Sequence, residues 1–124
     1  MKLTDDTRAG TNVIRAHAPG EIRVGETTVR HSCVVTADRL LEWRPRSIAA
    51  LTLDDIEPIL ALDPEIIILG TGSTQQFPEP ALLGAILSRG IGCEVMQTGA
   101  ACRTYNVLIG EDRRVAAALL LEGE

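Results

Sequence analysis

The chain has almost no aromatic side chains. Trp43, Phe77 and Tyr105 are the only three, 2% of 124 residues. A core must therefore be built from Leu, Ile, Val and Ala, and the aromatic platforms that stack single-stranded nucleic acid are missing. Lysine is just as scarce: Lys2 stands alone, and the formal net charge is -5. A nucleic-acid binder needs a basic face to meet phosphates, so no nucleic-acid partner is expected. The three cysteines, Cys33, Cys93 and Cys102, are odd in number and contain no Cys-x-x-Cys pair. That argues against a disulfide scaffold and a structural zinc site. His17 and His31 lack metal-ligand spacing, and no cofactor is expected. No apolar run approaches the ~20 residues that cross a bilayer. Met1 to Asp6 carries no apolar signal-peptide core. These absences lead us to expect a cytoplasmic protein without a transmembrane segment, with peripheral membrane association left open.

What is present is ordinary globular material, 45% hydrophobic and 23% charged. The length suits one domain, with a polar lead over residues 1–10 and an α/β domain over 11–124. The strongest local signal is Glu65-Ile66-Ile67-Ile68-Leu69-Gly70-Thr71-Gly72-Ser73. Four large aliphatic residues followed by Gly-Thr-Gly-Ser read as a buried strand ending in a sterically open turn. Ligands of open α/β sheets sit at the carboxyl ends of such strands.

Upstream, residues 12–18, 21–24 and 27–36 read as three strands separated by turns at Pro19-Gly20 and Gly25-Glu26. They predict an N-terminal antiparallel meander. Residues 37–51 give little signal beyond Trp43-Arg44-Pro45, which we expect to cover an edge of the core. Thr52 precedes Asp54 and Asp55 as an N-cap before an acidic first turn. Pro58 keeps the helix that follows short or kinked. Beyond the glycine turn, Pro80 opens a helix, Gly90 closes it, and residues 91–96 form a short strand. Strand, helix and strand make a βαβ unit. Thr98 is expected to cap a last helix over about 99–109. Val115 to Leu121, seven apolar residues, reads as a central strand buried on both faces. The expected architecture is a single three-layer α/β domain. It has a central mixed sheet, the meander, and helices packed on the sheet.

Gly70, Thr71, Gly72 and Ser73 are candidates for an anion or small-ligand cradle. The pattern is neither Gly-x-Gly-x-x-Gly nor a P-loop, so a purely structural turn competes with that reading. Thr98, Arg103 and Asn106 could close over the turn from the helix start. Arg103 and Asn106 are three apart and share a helical face. Arg103 also has a structural alternative, as an ion pair or a hydrogen-bond donor to backbone. Cys102, early in the same helix beside Arg103, has the two features that lower a thiol pKa. Without a base and an orienting partner nearby it reads as a packed small hydrophobe. No carboxylate pair suggests general acid–base chemistry, so no catalytic residue is expected.

Several blocks together carry a resemblance. They are Ile68-Leu69-Gly70-Thr71-Gly72, Phe77-Pro78, Leu82-Leu83, the run from Gly90 through Met96-Gln97-Thr98-Gly99-Ala100-Ala101-Cys102-Arg103-Thr104-Tyr105-Asn106-Val107-Leu108, and Arg113 to Leu119. Trp43-Arg44-Pro45 resembles the family's tryptophan-proline corner. Over roughly residues 12–121 the chain resembles a widespread small α/β family of unknown function that includes a mitochondrial respiratory complex I assembly factor. The resemblance implies a three-layer fold around a mixed sheet and a role as a non-catalytic assembly partner. It supplies no catalytic residues. The expected function is a binding or assembly-type protein with a protein partner, possible links to respiratory complexes, and an alternative as a small-ligand or anion binder at the Gly70–Ser73 turn.

Overall fold

A computed structural model describes residues 10–121; nearly all of the expected polar lead over residues 1–10 lies outside that range. Eight strands and three helices follow in the order β1 (Ile14–Ala18), β2 (Glu21–Val24), β3 (Thr27–Val29), β4 (Cys33–Val35), β5 (Leu40–Glu42), α1 (Leu53–Leu60), β6 (Ile66–Gly70), α2 (Pro80–Leu87), β7 (Gly92–Met96), α3 (Thr98–Gly110) and β8 (Val115–Leu119). A single 3-10 turn, Ile48–Ala50, precedes α1. Strands β1-β2-β3 form one antiparallel sheet. The second sheet has the order β5-β4-β8-β6-β7. In it β8, β6 and β7 run parallel, while β4 pairs antiparallel with both β5 and β8.

Strict alternation divides the main sheet between two cores. Cys33, Val35, Ile68, Ala117 and Leu119 face α3 and the small sheet, meeting Ile14, Ile22, Ala101 and Tyr105. Val34, Ile67, Leu69, Ala116, Ala118 and Leu120 face α1 and α2, meeting Ile56, Ile59, Leu82, Ile86 and Trp43. The three layers are therefore α1 with α2, the mixed sheet, and α3 with the small sheet. β8 is buried along its whole length, as a seven-residue apolar run demands.

The expected third strand of the meander is two strands. Thr27–Val29 stays in the small sheet, whereas Cys33–Val35 crosses into the main sheet. Burial explains the split. β3 has one buried residue of three, while all three residues of β4 are buried. Arg30 and His31 are exposed at the corner between them. Residues 37–51, which gave little signal beyond Trp43-Arg44-Pro45, supply β5 and the 3-10 turn.

The Trp43 corner is built on one carboxylate. Arg44 Nε and Nη2 donate to Asp55 Oδ1 and Oδ2 at 2.9 and 2.7 Å. Thr52 donates its N–H and hydroxyl to Asp55 Oδ2 at 2.9 and 3.0 Å, the reciprocal half of a capping box at the α1 start. Trp43 Nε1 donates to the Asp55 carbonyl at 3.0 Å. The Arg44 guanidinium, helped by the Thr52 bonds, holds the Asp55 carboxyl below its ordinary range against the opposing effect of burial.

Candidate functional site

Strands β6 and β7 are adjacent and parallel, but their onward connections leave on opposite faces, to α2 and to α3. Such a switch point usually opens a crevice at the carboxyl ends of the strands. Here it is stitched closed. Thr71 N donates to Met96 O at 2.9 Å, and Thr98 N to Gly72 O at 2.9 Å. Gly72 N donates to Thr98 Oγ1 at 2.8 Å, and that hydroxyl donates onward to Leu120 O at 2.8 Å. The expected capping role of Thr98 is thus not what the structure shows. Gln97 holds the N-cap position, and the Thr98 side chain turns inward to join the ends of β6 and β8. An inward bond satisfies two buried backbone groups at once, which a solvent-facing cap would not.

The glycines of the turn have separate tasks. Gly72 has a φ of 99°, a region that disfavours a side chain. Gly70 is ordinary in φ, but a Cβ there would lie 3.0 Å from Leu119 Cδ2 and 3.1 Å from both Ala101 Cβ and Thr98 Cα. Its missing side chain lets the start of α3 sit directly over the end of β6. Thr71 is buried, its hydroxyl donating to Thr74 O at 2.6 Å and accepting from Gln76 N at 3.1 Å.

A cavity of about 220 Å³ lies beside this seal, lined by Gly72, Ser73, Gln97 and Thr98 with His17 and Leu121. Three of the expected site residues, Gly72, Ser73 and Thr98, therefore share a cavity. Gly70 and Thr71 do not line it. Arg103 and Asn106 do not line it. Arg103 is exposed on α3. Asn106 is turned to β1, where Oδ1 accepts from Ile14 N at 3.0 Å and Nδ2 donates to Ile14 O at 2.8 Å. Its carboxamide completes the outer edge of β1 as a partner strand would. The pair therefore does not close over the turn cavity: the β1 edge claims Asn106. The neighbouring Tyr105 hydroxyl donates to Asn12 O at 2.9 Å, so α3 holds both β1 and the segment leading into it.

The thiols are poor nucleophiles. Burial pushes Cys102 up to about 11, although the Arg103 guanidinium pulls it down. Burial, then the neighbouring Cys102 thiol, pushes Cys33 up to about 12. Burial, then Glu94, pushes Cys93 up to about 11. Among the described residues no group of three or more His, Cys, Asp or Glu side chains could hold a metal ion.

Of the further cavities that escaped the sequence reading, two lie at the ends of the parallel strands. One, about 520 Å³, lies at the opposite end from the turn, between Asp38, Arg39, Asp63, Arg113 and Arg114. It collects the C-terminal ends of α1 and α3, where Asp63 and Asp112 adopt φ values of 57° and 61° as left-handed helix terminators. The other, about 250 Å³, contains Arg30, His31, Arg44 and Arg46 and shares Leu121 with the turn cavity. The pairs Arg30-His31 and Arg44-x-Arg46 were visible in the sequence. Their convergence depends on β4 and β5 pairing, which was not.

These features define a small mixed-sheet α/β domain of the Mth938-like type. It matches a Bordetella pertussis protein described as a Mth938-like domain with a TM-score of 0.85, at 28% identity over 100% of this chain and 94% of that one. The chain belongs to the family described as "Protein of unknown function (DUF498/DUF598)", which matches residues 14–120. A Xanthomonas campestris protein of known structure is 40% identical, with a TM-score of 0.84 over 99% of this chain and 94% of that one. Zebrafish NADH dehydrogenase (ubiquinone) 1 alpha subcomplex assembly factor 3 is 32% identical over 95% of this chain and 68% of its own length. The 13 kDa major membrane protein of Francisella tularensis is 31% identical over 80% of each. The chain spans about half, 49%, of the frog, mouse and human proteins that carry the same assembly-factor name.

Proposed function

We propose that this chain is a non-catalytic binding protein of the assembly type, recognising a protein partner at its surface, with subunits of an NADH dehydrogenase-type respiratory complex as the partner class. The observation that carries this reading is the likeness, along nearly the whole domain, to a protein named as an assembly factor of that complex. The use of the polar groups supports it. Thr98, Asn106 and Asp55 are consumed by backbone and ion-pair bonds that hold layers together. The buried thiols are held protonated. Affinity purification of the tagged chain from its own cells, followed by mass spectrometry, should recover subunits of the complex. Deleting the gene should reduce the assembled complex on native gels. Recovery of no partner together with an intact complex refutes the reading.

No helix among the described residues is long and apolar enough to cross a membrane. We place the chain in the cytoplasm, with peripheral contact to the membrane that holds its partner. Carbonate washing should release any membrane-associated fraction; retention after the wash refutes this placement. A second reading, a small-ligand or anion site, draws support from the cavity at Gly72, Ser73 and Thr98. A thermal-shift screen with phosphate, nucleotides and carboxylates tests it. A ligand at 100 times its dissociation constant adds about 2.7 kcal/mol, a shift easily seen.

A further inference from the structure

The two edges of the main sheet are finished differently. On β7 the Gln75 side chain donates to Val95 O at 2.9 Å, much as Asn106 closes β1 in the small sheet. Strand β5 ends the sheet on the other side, paired among the described residues with β4 alone. The register fixes which of its groups face outward. Trp43 N donates to Ser32 O and Thr36 N to Arg39 O. Alternation then directs Arg39, Leu41 and Trp43 to β4, and the N–H and C=O groups of Leu40 and Glu42 away from the sheet. Among the described residues no group bonds to those outward N–H and C=O groups. Such an edge is a template for another strand.

A cavity of about 280 Å³ lies beside this edge, between β5 and α1, with Val34, Leu41, Trp43, Ile59 and Leu62 as its apolar wall. Its charged lining is Glu42, Asp54 and Asp55 against Arg44. Arg44 and Asp55 neutralise each other at 2.7 Å. Glu42 and Asp54 remain, both at the surface. Glu42 approaches His31 only to 3.6 Å, in solvent, and such a pair holds neither side chain firmly. Pro58 adds an acceptor to the same wall. It has no N–H, so Asp54 O lacks the donor that a regular helix supplies four residues on, and both residues line the cavity.

We propose that β5 is a docking edge for an extended basic segment of a protein partner. The segment adds to the five-stranded sheet as a sixth strand, bonded to Leu40 and Glu42. Alternate apolar side chains enter the cavity against Leu41 and Trp43. Lys or Arg side chains beside them meet Glu42, with Asp54 at the α1 end of the groove. Main-chain bonds supply the attachment; the pocket and the two carboxylates supply the selection. Charge decides the occupant. An acidic or neutral strand leaves both carboxylates unanswered, and a second copy of this chain brings the same carboxylates to the edge, like charge against like. The choice of a protein segment rests on the assembly reading above; the open edge and the groove rest on geometry.

The test uses the full chain and the peptide fluorescein-Lys-Val-Lys-Val-Lys-amide, read by anisotropy and by amide hydrogen exchange. Saturable binding is expected, with exchange at the Leu40 and Glu42 amides slowed at least about tenfold. The Leu41 amide, already directed to β4, should change less. Affinity should fall at least about tenfold in E42K/D54K, and should weaken as salt rises through the screening range. E94K, on the β7 edge, should bind as the wild type does. The fully N-methylated peptide, which has no backbone donors, should not bind. Amide spectra of each variant separate lost binding from lost folding. Equal binding of the N-methylated peptide, or binding without slowed exchange at Leu40 and Glu42, overturns strand addition. Equal binding of fluorescein-Glu-Val-Glu-Val-Glu-amide overturns the basic occupant. Slow exchange at both amides in the chain alone, together with a dimer in sedimentation, assigns the edge to a second copy and overturns the partner segment. No saturation by the basic peptide, or equal weakening by E94K, overturns the docking edge altogether. Affinity purification distinguishes the two levels. If E42K/D54K retains the wild-type partner in full, the docking edge fails while the assembly reading stands. If the wild type recovers no partner but binds the peptide as described, the assembly reading fails alone.

Discussion

Replacing Asn106 by Ala tests whether this residue is a structural clamp. The carboxamide makes two bonds to one residue of an edge strand, 3.0 Å from Ile14 N and 2.8 Å to Ile14 O. Ile14 itself is 5% exposed, so water is poorly placed to replace both bonds. A net hydrogen bond contributes about 1 kcal/mol, and an unpaired backbone group in a part-buried position costs more. The expected loss is about 2–3 kcal/mol in urea unfolding, or about 10 °C in Tm for a domain of this size. Native-state hydrogen exchange at the Ile14 amide should accelerate more than exchange in β6 or β8, because the small sheet loosens first. Asn106→Asp sharpens the test. Its carboxylate still accepts from Ile14 N–H but sets a second oxygen against Ile14 C=O. That contact raises the introduced carboxyl's folded pKa above its unfolded value. Stability should then recover as pH falls and the carboxyl becomes a donor. A loss under about 0.5 kcal/mol in Asn106→Ala, within the range of neutral surface changes, or unchanged exchange at Ile14, refutes the clamp.

Two glycines should respond in opposite directions. Gly70→Ala drives a Cβ to 3.1 Å from the Thr98 backbone and should cost about 1–3 kcal/mol. Gly84→Ala, in mid-α2 with no atom within 4 Å of the new Cβ, should stabilise by about 0.5–1 kcal/mol; equal effects in urea melts would contradict the packing. Asp55, held low chiefly by Arg44, contributes stability that is complete above the ordinary carboxylate range. That contribution is lost as pH falls through its depressed folded value. The gap between wild type and Asp55→Asn should therefore be full at neutral pH and close in strong acid; a gap that widens in acid contradicts the assignment. With Cys33 pushed up to about 12 and Cys102 to about 11, both thiols should resist a disulfide reagent at neutral pH until the chain unfolds. Rapid native titration of more than one thiol per chain would show the burial to be wrong.

The main sheet's parallel half was legible because its signals are local. Ile66 to Leu69 is a buried strand by length and composition, Pro80 and Gly90 bracket α2, and the run from Val115 can only be central. The N-terminal half was less legible because its outcome depends on pairing rather than propensity. Thr27 to Thr36 has uniform strand character. Only the available partners, β2 for Thr27–Val29 and β8 for Cys33–Val35, decide where the strand breaks. The site followed the same division. The Gly70–Ser73 turn could be located because φ and close approach constrain residue type. The destinations of Asn106 and Arg103 could not, because a helix position gives a side chain's direction but not what lies across from it. The cavity lined by Arg30 and Arg46 was hidden for that reason too: its walls meet through the pairing of β4 and β5, and β5 left no periodic signal.

Thr98 decides what kind of site the strand ends can offer. Its hydroxyl accepts from Gly72 N and donates to Leu120 O, and its own N–H reaches Gly72 O. One residue thus ties together β6, β7 and β8 where doubly wound proteins leave a crevice for a ligand. The oxygen that would come from a bound anion is already present, 2% exposed, as part of the chain. Thr98→Val keeps the shape but leaves a buried donor and a buried acceptor unpaired. The expected cost is about 2–4 kcal/mol, while Thr98→Ser should recover most of it. If Thr98 were instead held ready for a ligand, Thr98→Val would cost little without ligand. A loss below about 0.5 kcal/mol would therefore reopen the switch point as an internal binding site.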